Sequence, residues 1–242
     1  MSSPERPITT PKELTEIECK RLSDISVFTN IFRYPKTRNF LKIGDIREFY
    51  RLWGQWLEFN TQDIVKYTKD MTQYSNLHLD DEIALVKYGC MELIVLFANF
   101  YYDRQNDTFT AYMDNNYSFI FPMSLLKSEK RNLYLYYKNY FDKLIPECNR
   151  DNIIMNLMTA IVLFNPNRPH LINKNKVGNE QQFYIYLLQR YLLYKCRSQS
   201  HEKLSKLMNS LIDLHIISEI EKTNGAENYL QYFGPILKEI YY

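Results

Sequence analysis

An all-α domain is predicted, on three observations. The chain of 242 residues holds only six glycines and nine prolines, too few turn formers for a barrel or a sandwich of short strands. Apolar residues recur at helical spacing, as Trp53, Trp56, Leu57, Ile64, Tyr67, Met71 and Tyr74 do in one stripe. A hydrophobic content of 45% supplies enough side chains for a large core.

Element by element, residues 1–13 are polar and proline-rich, which predicts a disordered tail or hinge remnant ahead of a domain spanning 14–242. Helices are predicted at about 14–30, 45–73, 80–102, 124–144, 150–164, 178–197, 201–222 and 235–241. The run MELIVLFANFYY (91–102) is too short to span a bilayer and reads as a helix buried on all sides. Asp80 and Asp81 precede it as N-cap and first-turn acids. Turn formers around alternating aromatics in DRQNDTFTAYMDNNYSF (103–119) predict a small β-hairpin, and FNPNRPHLINK (164–174) a proline-bounded loop. Between 201 and 222, Leu204, Leu207, Leu211 and Leu214 form one stripe and Met208, Ile212 and His215 an adjacent one, so that helix can serve a core and a partner at once.

Composition then narrows the function. Thirty basic residues against 28 acidic ones, spread along the chain, leave a net charge of +2 and no basic groove for nucleic acid. Cys19, Cys90, Cys148 and Cys196 lie far apart, which points to reduced structural thiols, and the opening MSSPERPITTPKEL lacks the apolar core of a secretory leader. The four histidines show no metal-ligand spacing, no glycine-rich phosphate loop occurs, and Asp80-Asp81-Glu82 is better read as a helix cap than as a metal or acid–base site. Neither a catalytic nor a metal site is assigned.

One constellation does carry a function. The stretch VKYTKDMTQYSNLHLDDEIALVKYGCMELIVLF (65–97) resembles the signature of the nuclear receptor ligand-binding domain, with Lys69, Tyr74, Leu77, Asp81, Ile83, Leu85, Lys87 and Glu92 on matching positions. DRQNDTF (103–109) resembles the family's hairpin, LFNPNRPHL (163–171) the loop after its eighth helix, and PILKEIY (235–241) its activation helix. DRQNDT and PILKEIY are most similar to the retinoic-acid-receptor-related orphan receptors and their insect and nematode moulting relatives. The resemblance implies a three-layer antiparallel helical sandwich, a nuclear transcription factor as the parent protein, and no enzyme.

It also implies a groove for a coactivator helix of LxxLL pattern, formed by Lys69, Lys87, Ile236, Leu237, Glu239 and Ile240. Such a helix arrives with unpaired N–H groups at one end and unpaired carbonyls at the other. Glu239 can accept from the first and Lys69, helped by Lys87, donate to the second, a clamp that matches the helix dipole at both ends. A helix of two to three turns is about 15 Å long, which sets the separation expected between the two charges.

A ligand pocket is implied among Met71, Phe97, Phe100, Phe109, Met158 and His215. Phe97 and Phe100 stand where the resembled receptors place arginines, so the expected ligand is small and apolar, or side chains partly fill the space. No cofactor is assigned; haem through His215 is disfavoured, because no second axial ligand is identifiable and the terminal helix is present. A receptor dimer through 201–222 is the further expected partner, and the alternative is a ligand-independent dimerisation or scaffold domain. In the resembled receptors a tyrosine of the terminal helix bonds a histidine on the preceding long helix. Here Leu237 stands in its place opposite His215, so the terminal helix is expected to exchange between docked and open states.

Overall fold

The described residues of the computed structural model are 14–31, 39–113 and 117–241; the tail expected over 1–13 lies outside them. Helix α1 (Glu16–Ile25) opens on a capping box, in which the Glu18 carboxylate accepts from the Thr15 N–H at 2.7 Å and the Thr15 hydroxyl from the Glu18 N–H. It gives way at Ser26 to a 3-10 turn through Asn30. Strand β1 (Phe40–Lys42) precedes α2 (Ile46–Lys69), where Asp45 Oδ1 accepts from the N–H groups of Arg47 and Glu48 at 3.0 and 3.1 Å.

The single turn α3 (Thr72–Ser75) leads into α4 (Leu79–Ala98), in which every residue from Gly89 to Ala98 is buried, as the unbroken apolar run implies. The opening of α4 differs from the expected one. His78 is the N-cap, its ring nitrogen accepting from the Asp80 N–H at 3.2 Å, while Asp81 is fully buried and used elsewhere. The helix also ends at Ala98, not near 102, because Tyr102 pairs with Phe109 in a sheet.

That sheet contains the expected hairpin and more. β2 (Tyr102–Asp103), β3 (Thr108–Tyr112) and β4 (Ser118–Pro122) run antiparallel to their neighbours, with Phe109 opposite Phe121, and β1 joins β4 in parallel, giving the order β1-β4-β3-β2. The helix expected from 124 starts only at Leu133, as α5 (Leu133–Cys148). Short 3-10 turns fill the interval, and Arg131 and Asn132 take φ of 58° and 53°, a left-handed backbone that a continuous α-helix cannot hold. Then follow α6 (Asn152–Leu163), α7 (Lys174–Cys196) and α8 (Ser200–Asn224). A π turn over Gly225–Tyr229 and a 3-10 turn over Leu230–Tyr232 lead into α9 (Pro235–Tyr241).

The result is an all-α helical sandwich with a small sheet. Helix α4 lies in the middle, packed against α2, α6 and α8; α7 closes over α6 and α8, α5 covers α8, and α9 lies on α2. Rings fill the space between α2 and the sheet. Trp53 stacks on Trp56 at 4.6 Å, Phe109 meets the two at 5.5 and 5.6 Å, and Phe121 meets Trp53 at 5.6 Å.

Candidate functional site: the terminal-helix groove

Helix α9 is amphipathic on a scale of two turns. Leu237 is buried, Ile236 and Ile240 are half-buried, and Lys238 and Glu239 face solvent. Its apolar side closes a cleft of about 400 Å³ with Lys87, Cys90 and Met91 of α4 and Lys222 and Thr223 of α8, where Leu237 and Ile240 supply the α9 wall. Lys69 is exposed in the last turn of α2, and Lys87 is half-buried. The structure thus brings Lys87, Leu237 and Ile240 to one cleft, with Ile236 and Glu239 on the same short helix.

Two exposed apolar side chains lie on the same helix as Lys87, and Ile83 shares a neighbouring cleft with it; neither was assigned to the groove from the sequence, though Ile83 is among the signature positions. Leu79 and Ile83 are 65% and 52% exposed and stand eight and four residues before Lys87, so the three share one face of α4. Exposed leucine and isoleucine one turn apart are the kind of surface a partner helix covers. Their four-residue spacing was visible, but the acids at 80–82 between them made the stretch read as a polar helix start.

The residues assigned to a ligand pocket divide differently. Met71, Phe97, Phe109 and Met158 are buried in the core and Phe100 is half-buried at the end of α4; none of the five lines this cleft, the cleft beside Arg168 or the one beside Ile172. His215 stands outside the core, with its side chain 61% exposed on the rim of a cleft of about 600 Å³. Its Nδ1 lies 2.8 Å from Glu92 Oε1, so its bonding partner is α4 and not the terminal helix.

Glu92 in turn holds Arg168 in a two-pronged pair: Nη1 donates to Oε1 at 3.0 Å and Nη2 to Oε2, while Nη2 also donates to the Val162 carbonyl at 3.2 Å. Burial pushes the Glu92 carboxyl up, but the bonds and charge of Arg168, with His215, outweigh it and hold the group below its ordinary value. The pair locks the loop after α6 onto α4. Asp81 does the same from the first turn of α4, its oxygens accepting from the Ile172 N–H at 2.6 Å, the Asn173 N–H at 3.1 Å and the Asn173 amide at 3.2 Å. Both acids of the resembled signature therefore fasten one loop.

No family model matches the chain. It is similar to the nuclear hormone receptor HR96 of Drosophila melanogaster, 28% identical over 185 residues that make up 74% of this chain and 25% of that protein. It is similar also to nuclear receptor subfamily 1 group I member 3 of Rattus norvegicus, 24% identical over 74% of this chain and 50% of that one, and to thyroid hormone receptor alpha of Ovis aries, 24% identical over 74% and 43%. Fold and relatives together support a nuclear receptor ligand-binding domain. The chain spans a quarter to a half of the length of these relatives. A place for the ligand-binding domain beside the retinoic-acid-receptor-related orphan receptors remains an expectation drawn from DRQNDT and PILKEIY.

Proposed function

We propose that residues 14–242 form the regulatory domain of a nuclear transcription factor, and that the domain recruits partners by holding an LxxLL helix between α2, α4 and α9. Lys69 with Lys87 takes the carbonyl end of that helix and Glu239 the N–H end, while Leu79, Ile83, Ile236 and Ile240 cover its leucines. The observation that carries this reading is the docked α9, with Leu237 buried, Ile240 in the cleft beside Lys87 and Glu239 turned to solvent. The role is one of binding, and no reaction is assigned. Glu239→Lys puts a cation against the positive end of the partner helix, and Lys69→Glu an anion against its negative end. Each reversal is expected to cost about 1–2 kcal/mol, or roughly tenfold in the affinity of a fluorescent LxxLL peptide. Equal peptide affinity in the wild type and both variants would sink the assignment.

A second reading is that the domain works without a ligand, and the aromatic interior favours it. Trp53, Trp56, Phe109 and Phe121 pack ring on ring between α2 and the sheet, and Phe97 is fully buried. A domain filled by its own rings works without a ligand, whereas a small lipophilic ligand has to displace them. Native mass spectrometry of the purified domain separates the two: a retained small molecule supports the ligand, and the bare chain mass supports the filled interior.

A further inference from the structure

The segment that runs from the turn after α8 into the first turn of α9 lies along one line of α2. Tyr50 of α2 stacks on Tyr229, their ring centroids 5.7 Å apart. One turn on, Gly54 lets Tyr232 approach so closely that a Cβ on the glycine would stand 3.0 Å from the Tyr232 Cβ. One turn further, Glu58 meets the start of α9: its Oε1 accepts from the Ile236 N–H at 3.2 Å and its Oε2 from the Leu237 N–H at 2.9 Å. Positions 50, 54 and 58 share one face of a helix, so the segment from Tyr229 to Leu237 is a strap laid along α2.

The chemistry of the third contact differs from packing. The first N–H groups of any helix have no partner within it, and the dipole makes that end attractive to an anion. A carboxylate reaching across from another helix meets both needs, with charged hydrogen bonds that are stronger than neutral ones. Glu58 is 8% exposed, and Gly234 is built around it: a Cβ there would lie 2.5 Å from Glu58 Oε1 and 2.6 Å from its Cγ. Gln62, one turn along α2, donates to Oε1 at 3.4 Å and steadies the carboxylate from the far side.

We infer that Glu58 is the positioning residue of the terminal helix, holding α9 docked in the free domain with no ligand present. Where the resembled receptors use a tyrosine–histidine bond, this chain uses a carboxylate of α2 on the backbone of α9, with Gly234 and Gly54 admitting the strap. That the docked helix completes a partner groove rests on the function proposed above; that Glu58 docks it does not.

Hydrogen exchange of the full chain, without ligand or peptide, tests the inference. The amides of 236–240 are expected to be protected in the wild type. They should exchange faster by roughly 10- to 100-fold in Glu58→Ala, less so in Glu58→Gln, which keeps one acceptor oxygen. The amides of α6 serve as the internal control and should not change. Gly234→Ala, whose Cβ would collide with the Glu58 side chain and drive the strap off it while the carboxylate itself is kept, should loosen the same peptide. Unchanged exchange of 236–240 in all three variants overturns the inference, and so does a uniform rise that includes α6. A peptide that fails to bind a domain whose α9 is protected by Glu58 removes the proposed function and leaves this inference standing.

Discussion

Glu221 shows how much one side chain can hide in a sequence. On α8 it reads as one more surface acid between an isoleucine and a lysine, yet it is buried, with Oε1 accepting from the Tyr137 hydroxyl at 2.8 Å and Oε2 from the Tyr229 hydroxyl at 2.7 Å. Nothing in helical spacing identifies the partners, since Tyr137 comes from α5 and Tyr229 from the turn after α8. Burial pushes its carboxyl up to about 7 from the ordinary 4.5, the tyrosine bonds pulling it back only in part. A carboxyl raised in the folded state binds its proton more tightly there than in the unfolded chain. Stability therefore falls as pH rises from about 4.5 through 7, by roughly 3 kcal/mol in all. Glu92, Asp107 and Asp151, held below their ordinary values, act with the opposite sign and lose their contribution only as pH falls into the acid range. Urea unfolding at a series of pH values should thus show greater stability near pH 5 than near pH 8, and Glu221→Gln, which can still accept from a tyrosine, should reduce the difference to the share of Glu129 and Asp63, whose carboxyls burial also raises. A wild-type stability that is flat or rising from pH 5 to 8 contradicts the assignment.

At the scale of elements, periodicity located α2 and α4 to within a few residues, because each carries a long apolar stripe or run. The failures have physical causes. The start of α5 was misplaced because left-handed backbone at Arg131 and Asn132 has no glycine to signal it, and β1 is three exposed residues with no pattern to read. The order of motifs singled out Lys69, Lys87 and Glu239 for the proposed clamp, and of these Lys87 lines the cleft, whereas the acids beside Leu79 and Ile83 masked their exposure and Glu58 gave no sign of its partner some 180 residues away. Asp81 was legible as to position but not as to role. A first-turn acid serves its own helix by default, and only the folded chain shows it accepting from the backbone before α7. Asp81→Ala leaves the Ile172 and Asn173 N–H groups without their acceptor, at a cost of about 2–3 kcal/mol. Hydrogen exchange over 171–177 should rise ahead of the rest of the domain. If it does not, the Arg168–Glu92 pair, the His170–Tyr88 stack and the Lys176 bond to the Asn76 carbonyl suffice to hold the loop.

For the whole molecule, the outstanding question is what covers the outer face of α8. The two stripes separate only in part, since Leu204 and Leu211 of the first and Met208 of the second are all half-buried. Leu207 and Leu214 are buried against α4, α5 and α7, while Ile212 is 63% exposed and Ile216 is partly so. The neighbouring α7 adds Tyr194, 72% exposed, with Leu193 partly exposed on the same helix. Single exposed apolar residues are ordinary on a protein surface, but two packed helices that both show them suit an interface. The charges around Ile212 do not oppose self-pairing: Lys206 is already engaged by Glu147 and Glu202, and Asp213 by Lys143. A symmetric contact would set Ile212 and Ile216 of one copy against those of the other. Sedimentation velocity across micromolar concentrations is expected to show a reversible shift from the 29.2 kDa chain towards twice that mass. Ile212→Asp places a charge in the contact without touching the core and should abolish the shift, while leaving the hydrogen exchange of α9 unchanged. A single 29.2 kDa species at every concentration, in wild type and variant alike, would mean that copies of this chain do not pair through the outer face of α8.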